Sequence, residues 1–458
     1  MLFRSIAPRP WATLIFLLLV LVLGGASAAG FAGNLVLQLG GGGLIAWTLW
    51  SESKDEGLQT GLRPFLLGFA GLAALQFLPL PPAIWQFLPG RDAVAKGFDL
   101  AGVARPWLSY SLDPWGALQS LTWWIPAIAL LIAIRARQSP ETRHLVWLVL
   151  TVAYVSVAFA AVQALSGAGY IYTITNQGNG VGLFSNSNHY GSFMLMATAL
   201  AAGQWLHERE GRSPLAPWLS PKLELAARLV PFGLGVYLSN SLACLLLLLP
   251  LSGAIITMVY PLIKIRWSLV AGITVLFAVG IVWLLASGLV SNDMMTKSGT
   301  LGISRGEFLT NGIAIIQDFH LTGAGLGTFK DLYPWYESVS NVSTTYANHA
   351  HNDLLELVIE AGLPGLIVLA LFMRWFAGRA WTLWNADRTN NPVALGASLA
   401  VVSVLTHSLV DYPTRTAALS GLVAVCCILI CRKPGLRGSA AKAQSAMGAS
   451  KRETMIQI

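Results

Sequence analysis

Histidines and carboxylates crowd one stretch of a chain that otherwise avoids charge. His349, His351, Asn352, Asp353, Glu356 and Glu360 stand together where an apolar run begins near residue 354. Histidine can take a proton from a sugar hydroxyl or hydrogen-bond a phosphate. Glu360 lies deeper in the run, where a carboxylate must face a bundle interior and find a partner. Asp353-Leu354-Leu355-Glu356 also reads as a capping box, which gives Asp353 the plainer duty of starting a helix. His-x-His alone is too sparse for zinc, and no metal site is expected.

Arg305 opens a second candidate. Ser304-Arg305-Gly306-Glu307 is a Ser-x-x-Glu box, and Phe308, Ile315, Ile316 and Phe319 follow at helical spacing, predicting an amphipathic helix over 305–318. A helix N-terminus favours anions, and an arginine there adds bidentate donors for phosphate. Gly323-Ala324-Gly325-Leu326-Gly327 permits close backbone approach; Gly325 and Gly327 could form an anion nest, or simply stop the helix. His407, Asp411 and Arg415 recur four apart, on one face of an expected span and just beyond it, so that Asp411 could pair with either neighbour. Asn186 and Asn188 precede another span. Asn188 is a good N-cap, and both amides suit sugar hydroxyls.

These groups need a scaffold, and composition names its class. The chain has 458 residues, 55% hydrophobic and 11% charged, against about 25% charged in soluble domains. It is expected to be an all-α polytopic membrane protein. Runs of about 20 apolar residues fall near 11–29, 31–50, 64–88, 115–134, 145–166, 189–206, 229–241, 242–263, 268–290, 354–374, 393–413 and 416–431, about twelve transmembrane helices. The run 229–263 is too long for one crossing, and Ser239-Asn240-Ser241 supplies a polar break. Ala26-Ser27-Ala28 after the first run resembles a signal-peptidase site, but further apolar chain follows at once, so an uncleaved first span is expected.

With the N-terminus inside, Lys and Arg concentrate on the inner segments, which supports both termini in the cytoplasm. The outer face then carries 89–114, 167–188 and a long loop at 291–353. The expected organisation is N-terminal transmembrane helices over 1–290, the outer helical loop over 291–353, C-terminal transmembrane helices over 354–431 and a basic tail over 432–458. The net charge of +8 belongs to inner loops, so nucleic acid is not an expected partner. Cys244, Cys426, Cys427 and Cys431 lie in or beside apolar runs, so no disulfide framework is expected. A solute or lipid transporter, the reading from another class, would place its polar groups near the midplane rather than at the outer rim.

The chain resembles the O-antigen ligase and O-antigen polymerase superfamily of bacterial envelope enzymes. Four features carry this: Asn186-Ser187-Asn188-His189 before a span, the outer-loop Arg305, Thr322 to Phe329 ending in Gly-Thr-Phe, and His349 to Gly365 with its His-Asn and Glu-x-Gly-Leu-x-Gly. The resemblance covers roughly 110–430. It implies a GT-C-like, metal-independent, inverting glycosyltransferase without a cofactor, in the bacterial inner membrane with its site facing the periplasm. The implied donor is a glycan on undecaprenyl pyrophosphate. The implied acceptor is lipid A–core in a ligase or another lipid-linked glycan in a polymerase; a protein O-glycosyl ligase is a third member of the class. His351 and Arg305 become the expected catalytic pair. His349, Asn352, Glu360, Asn186, Asn188, Gly325, Gly327 and Arg415 are expected around the substrate. Relatives often carry Ser-Arg-Gly where this chain has Ser239-Asn240-Ser241, and Arg415 is a possible substitute.

Overall fold

The computed structural model describes residues 10–27, 32–51, 61–136, 139–210, 218–260, 305–339, 347–385 and 391–432. The expected span at 268–290, the cap residue Ser304 and the tail beyond 432 lie outside them. The described elements are helical apart from one two-stranded pairing, β1 (Pro79–Leu80) with β2 (Leu108–Ser109). In chain order the helices begin with α1 (Pro10–Leu23), α2 (Ala32–Ser51), α3 (Arg63–Leu75), α4 (Pro82–Trp85) and α5 (Asp92–Leu100). Next come α6 (Pro114–Thr122), α7 (Ile125–Arg135), α8 (Thr142–Ser166), α9 (Ser187–Glu210), α10 (Pro221–Leu238) and α11 (Leu242–Val259). The last are α12 (Arg305–Phe319), α13 (Phe329–Leu332), α14 (Asp353–Asn385), α15 (Pro392–His407) and α16 (Ala417–Cys431).

Among the described residues, three helices are long and apolar enough to cross a membrane by length and composition: α8, α11 and α14. A fourth crossing is counted if α6 and α7, bent by 41° at Trp123–Trp124, form one broken span. Helices α1, α3, α15 and α16 are apolar but shorter. The run expected as one span over 64–88 is different: its helix stops at Leu75, because Pro79, Pro81 and Pro82 cannot continue it and turn the chain into β1. The long run at 229–263 does split at Ser239–Ser241. Asn240 sits there at φ 54°, and Ser241 caps α11 by accepting from the Cys244 amide.

Helix α9 is the axis of the bundle, with nearly every residue from His189 to Leu206 buried. It crosses α15 where two glycines meet: a Cβ on Gly203 would fall 2.6 Å from the Pro392 carbonyl oxygen and 3.1 Å from the Gly396 Cα. Below that crossing lies a buried ionic group. Arg228 bonds Glu208 and Glu224, each at 2.7 Å, while Arg209 also bonds Glu224. A second, smaller core sits apart from the bundle. Phe308, Ile315 and Phe319 of α12 pack with Phe329, Tyr333, Leu355 and Ile359, the face the periodicity predicted.

That outer core is fastened to α14 at a break. Gly362 adopts φ 51° and ψ −142° inside the helix, and Pro364 has no N–H to return to the Glu360 carbonyl. The freed carbonyls of Ile359 and Glu360 accept instead from Ala324 N (2.9 Å) and Gly325 N (2.8 Å), and Leu363 N donates to Leu321 O (3.1 Å). Helix geometry and the glycine-rich loop are thereby one construction.

Candidate functional site

The first turns of α14 set three carboxylates on one face, since Asp353, Glu356 and Glu360 recur at helical spacing. Each is buried or nearly so, and each meets Arg415, which stands on the 3₁₀ turn Pro413–Arg415. The guanidinium lies 3.4 Å from Asp353, 3.2 Å from Glu356 and 3.5 Å from Glu360. Burial by itself would lower the Arg415 pKa. Glu356, Glu360 and Asp353 outweigh it and raise the pKa, so the guanidinium stays charged. Asp353 also accepts from Ser408 Oγ (2.7 Å) and Thr414 Oγ1 (2.8 Å). Glu356 accepts from the Ala350 amide (2.9 Å) and faces His349 Nδ1 at 2.8 Å. Glu360 accepts from the Phe329 amide at 3.3 Å, so the outer core and the carboxylate face share a hydrogen bond.

These groups border a cavity of about 100 Å³. His349, Glu356, Glu360 and Arg415 line it, with Gln119 and Ser120 of α6, Trp123 and Trp124 from the α6–α7 break, and Ser27, Gly327, Phe329 and Lys330. The lining therefore combines charged donors and acceptors with indole rings. Such a combination suits a sugar bearing a charged group.

Tyr412 stands behind the cavity and gathers three imidazoles. Its ring lies 4.4 Å from His349, 4.8 Å from His351 and 4.9 Å from His189, the last two edge-on. Its hydroxyl engages Ser27 and Asn186. His351 Nδ1 sits 3.3 Å from Asp411 Oδ1, off the angle of a hydrogen bond, and Asp411 is fully buried. His351 also has φ 50°, a conformation a histidine rarely takes, and its ring packs 5.4 Å from Phe308 of α12. Arg305 heads that helix, one turn before Phe308.

The O-antigen ligase family model matches residues 227–370. Over that stretch the chain is similar to the O-antigen ligase family, which supports the O-antigen ligase superfamily. The match runs from α10 into α14, and so contains Arg305, His349, His351, Glu356 and Glu360, while Asp411, Tyr412 and Arg415 reach the site from beyond it. No curated protein matches the chain. The superfamily implies lipid-linked glycan substrates and a membrane setting.

The expected residues divide within this site. His349, Glu360, Gly327 and Arg415 border the cavity. Asn352 serves the helix: its Oδ1 accepts from the Leu355 amide (3.0 Å) and its Nδ2 donates to Leu409 O (2.8 Å). The capping position thus falls one residue before Asp353, whose carboxylate turns to the 3₁₀ segment instead. Asn186, not Asn188, caps α9, accepting from the Asn188 amide at 2.8 Å. The Asn188 carbonyl accepts from Cys244 Sγ at 3.6 Å. The Gly325 amide is engaged by Glu360, so that N–H is not turned toward the cavity. The expected face of His407, Asp411 and Arg415 does not form, because α15 ends at His407. His407 then meets Ser192 Oγ at 2.6 Å, Asp411 meets His351, and Arg415 meets the α14 carboxylates. Glu356 was recoverable from its spacing with Asp353 and Glu360. Tyr412, Lys330, Trp123 and Trp124 carried no such signal.

Proposed function

We propose that the chain transfers a glycan from undecaprenyl pyrophosphate to lipid A–core at the periplasmic face of the bacterial inner membrane. What supports this most directly is a polar cavity that holds His349, Arg415 and Lys330, with His351, strained and backed by the buried Asp411, reaching it through the Tyr412 ring, 4.4 Å from His349 and 4.8 Å from His351. The acceptor hydroxyl gives its proton to His351 as its oxygen attacks the anomeric carbon. The bond from that carbon to the pyrophosphate oxygen breaks, and its electron pair leaves with the diphosphate. One displacement inverts the anomeric centre and needs no protein nucleophile. Asp411 stabilises the imidazolium that forms. Arg305 and Lys330 offset the charge growing on the leaving group, the kind of stabilisation that dominates many such reactions. Glu356, Glu360 and His349 are placed to read sugar hydroxyls. Arg415 holds those carboxylates and supplies the positive charge that relatives place near the start of α11.

The test is transfer by the full-length protein in a ligase-null strain, read as long-chain lipopolysaccharide on a gel. Wild type is expected to restore the long bands. His351→Ala and Arg305→Ala, both inserted at wild-type levels, are expected to lower transfer by about 100-fold or more, as loss of a general base does. Full transfer by both variants refutes the assigned roles. Restoration only in a polymerase-null strain replaces lipid A–core by a second lipid-linked glycan as acceptor.

A further inference from the structure

Helix α3 stops early. Its 13 residues rise about 20 Å, where crossing the hydrocarbon takes about 30 Å. Near its end Leu72 packs with Ala361 and Val368, beside the break in α14 and about 12 Å short of Asp353 at the head of that helix. The chain then stays at this level. Gln76 Oε1 accepts from the Leu326 amide at 3.0 Å, and the Ser111 amide returns to the Gln76 carbonyl at 3.1 Å. Tyr110 Oη donates to the Thr322 carbonyl at 2.7 Å, and Leu112 N to Ala324 O at 2.9 Å. Residues 76–113 are therefore a shelf fastened to the glycine loop, which leads into Gly327, Phe329 and Lys330 of the cavity.

The free surface of the shelf is apolar. Phe87, Leu100 and Trp107 are 79%, 89% and 66% exposed, and the exposed Phe77 and Leu78 continue the exposed side of α3 at Leu67. Helix α5 is two-faced. Asp92, Lys96 and Asp99 recur at helical spacing along one side. On the opposite side Val94, Gly97, Phe98 and Ala101, with Val103, line a shallow depression of about 300 Å³ with no charged residue among them. The two arginines are turned aside: Arg91 is buried and donates to the Tyr110 carbonyl, and Arg105 pairs with Asp99 at 2.6 Å. Trp85, fully buried, joins α5 to the shelf, its indole N–H donating to Pro106 O at 2.8 Å and its ring 6.2 Å from Phe98. Apolar surface of this extent needs a cover. Its continuity with a membrane helix that ends below the hydrocarbon boundary says what the cover is.

We propose that residues 77–107 are not a loop in water but an element inserted in the bilayer, with α5 lying in the plane of the leaflet on the cavity side. Its apolar face, Phe87 and Val103 sit among acyl chains, and Asp92, Lys96 and Asp99 face the head groups, as in other amphipathic helices at membrane surfaces. That leaflet is the outer one in the orientation proposed above. The insertion itself does not rest on glycan transfer.

The experiment uses the full-length protein carrying Cys431→Ser, in nanodiscs of phosphatidylethanolamine and phosphatidylglycerol. Cys244, Cys426 and Cys427 are buried and out of reach of the label. Phe87→Cys, Val103→Cys and Lys96→Cys, one at a time, carry an NBD fluorophore. Its emission is read with iodide in the water and with lipids brominated high on the acyl chain. The labels at 87 and 103 are expected to emit further to the blue, to be quenched by brominated lipid and to be about fivefold less open to iodide than the label at 96. Leu100→Cys carries the same expectation if either apolar variant is not monodisperse. Equal iodide access at all positions, with no quenching by brominated lipid, puts the shelf in water and overturns the proposal. Equal shielding at all positions overturns the two-faced orientation and the proposal with it. No transfer assay enters, so a failure of the glycan-transfer reading is a separate result.

Discussion

Replacing Gly362 by alanine tests whether the break in α14 builds the site. At φ 51° and ψ −142° an L side chain is strained by about 1–3 kcal/mol before any contact is considered. The new Cβ would lie 2.5 Å from Gly323 N, 2.7 Å from Thr322 C and 2.8 Å from Leu321 O. These are backbone atoms of a loop that is itself hydrogen-bonded to the helix, so none can move aside singly. Relief requires the loop to leave α14, and three hydrogen bonds at 2.8–3.1 Å go with it. At about 1 kcal/mol net for each, the whole change is about 4–6 kcal/mol. Gly327, Phe329 and Lys330 would then withdraw from the cavity, and Glu360 would lose the Phe329 amide. Transfer is expected to disappear, and trypsin to cut at Lys330 much faster than in wild type. Pro364→Ala is the contrast: it returns an N–H without adding a clash and is expected to be mild. Gly362→Ala protein with wild-type melting temperature, tryptic pattern and transfer would refute this account of the break.

Two further substitutions separate site from scaffold. Arg415→Ala leaves Asp353, Glu356 and Glu360 facing one another, and loss of one partner from a buried ionic group destabilises by about 3–5 kcal/mol; thermal unfolding in detergent should show the drop and transfer should vanish. Arg415→Lys keeps the charge but not the fork of donors, and is expected to fold while raising KM for the donor. Arg228→Ala leaves Glu224 only Arg209 and Glu208 only the neutral donors Gln204 and Trp147, and should destabilise by about 3 kcal/mol. Its ionic group lies about 30 Å along α9 from Asn186, so kcat per folded molecule should match wild type.

Helices could be located from apolar runs, because burial in a bundle or in lipid writes itself into hydropathy. Each expected span within the described residues coincides at least in part with a helix. What escaped were the events at helix ends. The caps fell at Asn186 rather than Asn188 and at Asn352 rather than Asp353, because several nearby side chains could each cap and tertiary partners decide among them. Asp353 is drawn away by Ser408 and Thr414, contacts between residues more than fifty positions apart. The even spacing of His407, Asp411 and Arg415 implied a single face only while α15 continued, and it stops at the first of them. The proximity of His349, Glu356 and Glu360 was visible because one helix start supplies all three. Tyr412 was invisible because an aromatic residue beside a proline has no signature of the company it keeps.

Ser27 follows the first helix, and Arg415 precedes the last. Both border the cavity, and the Gly24 carbonyl accepts from the Ala418 amide at 3.0 Å, stitching the two ends of the bundle together. A nascent chain therefore owns no such chamber until α16 has been released and inserted. Prematurely terminated products would be inert rather than leaky, unable to squander an expensive lipid-borne sugar on water. The same closure means that splitting the polypeptide anywhere between those two points leaves halves that must find each other before either is of use.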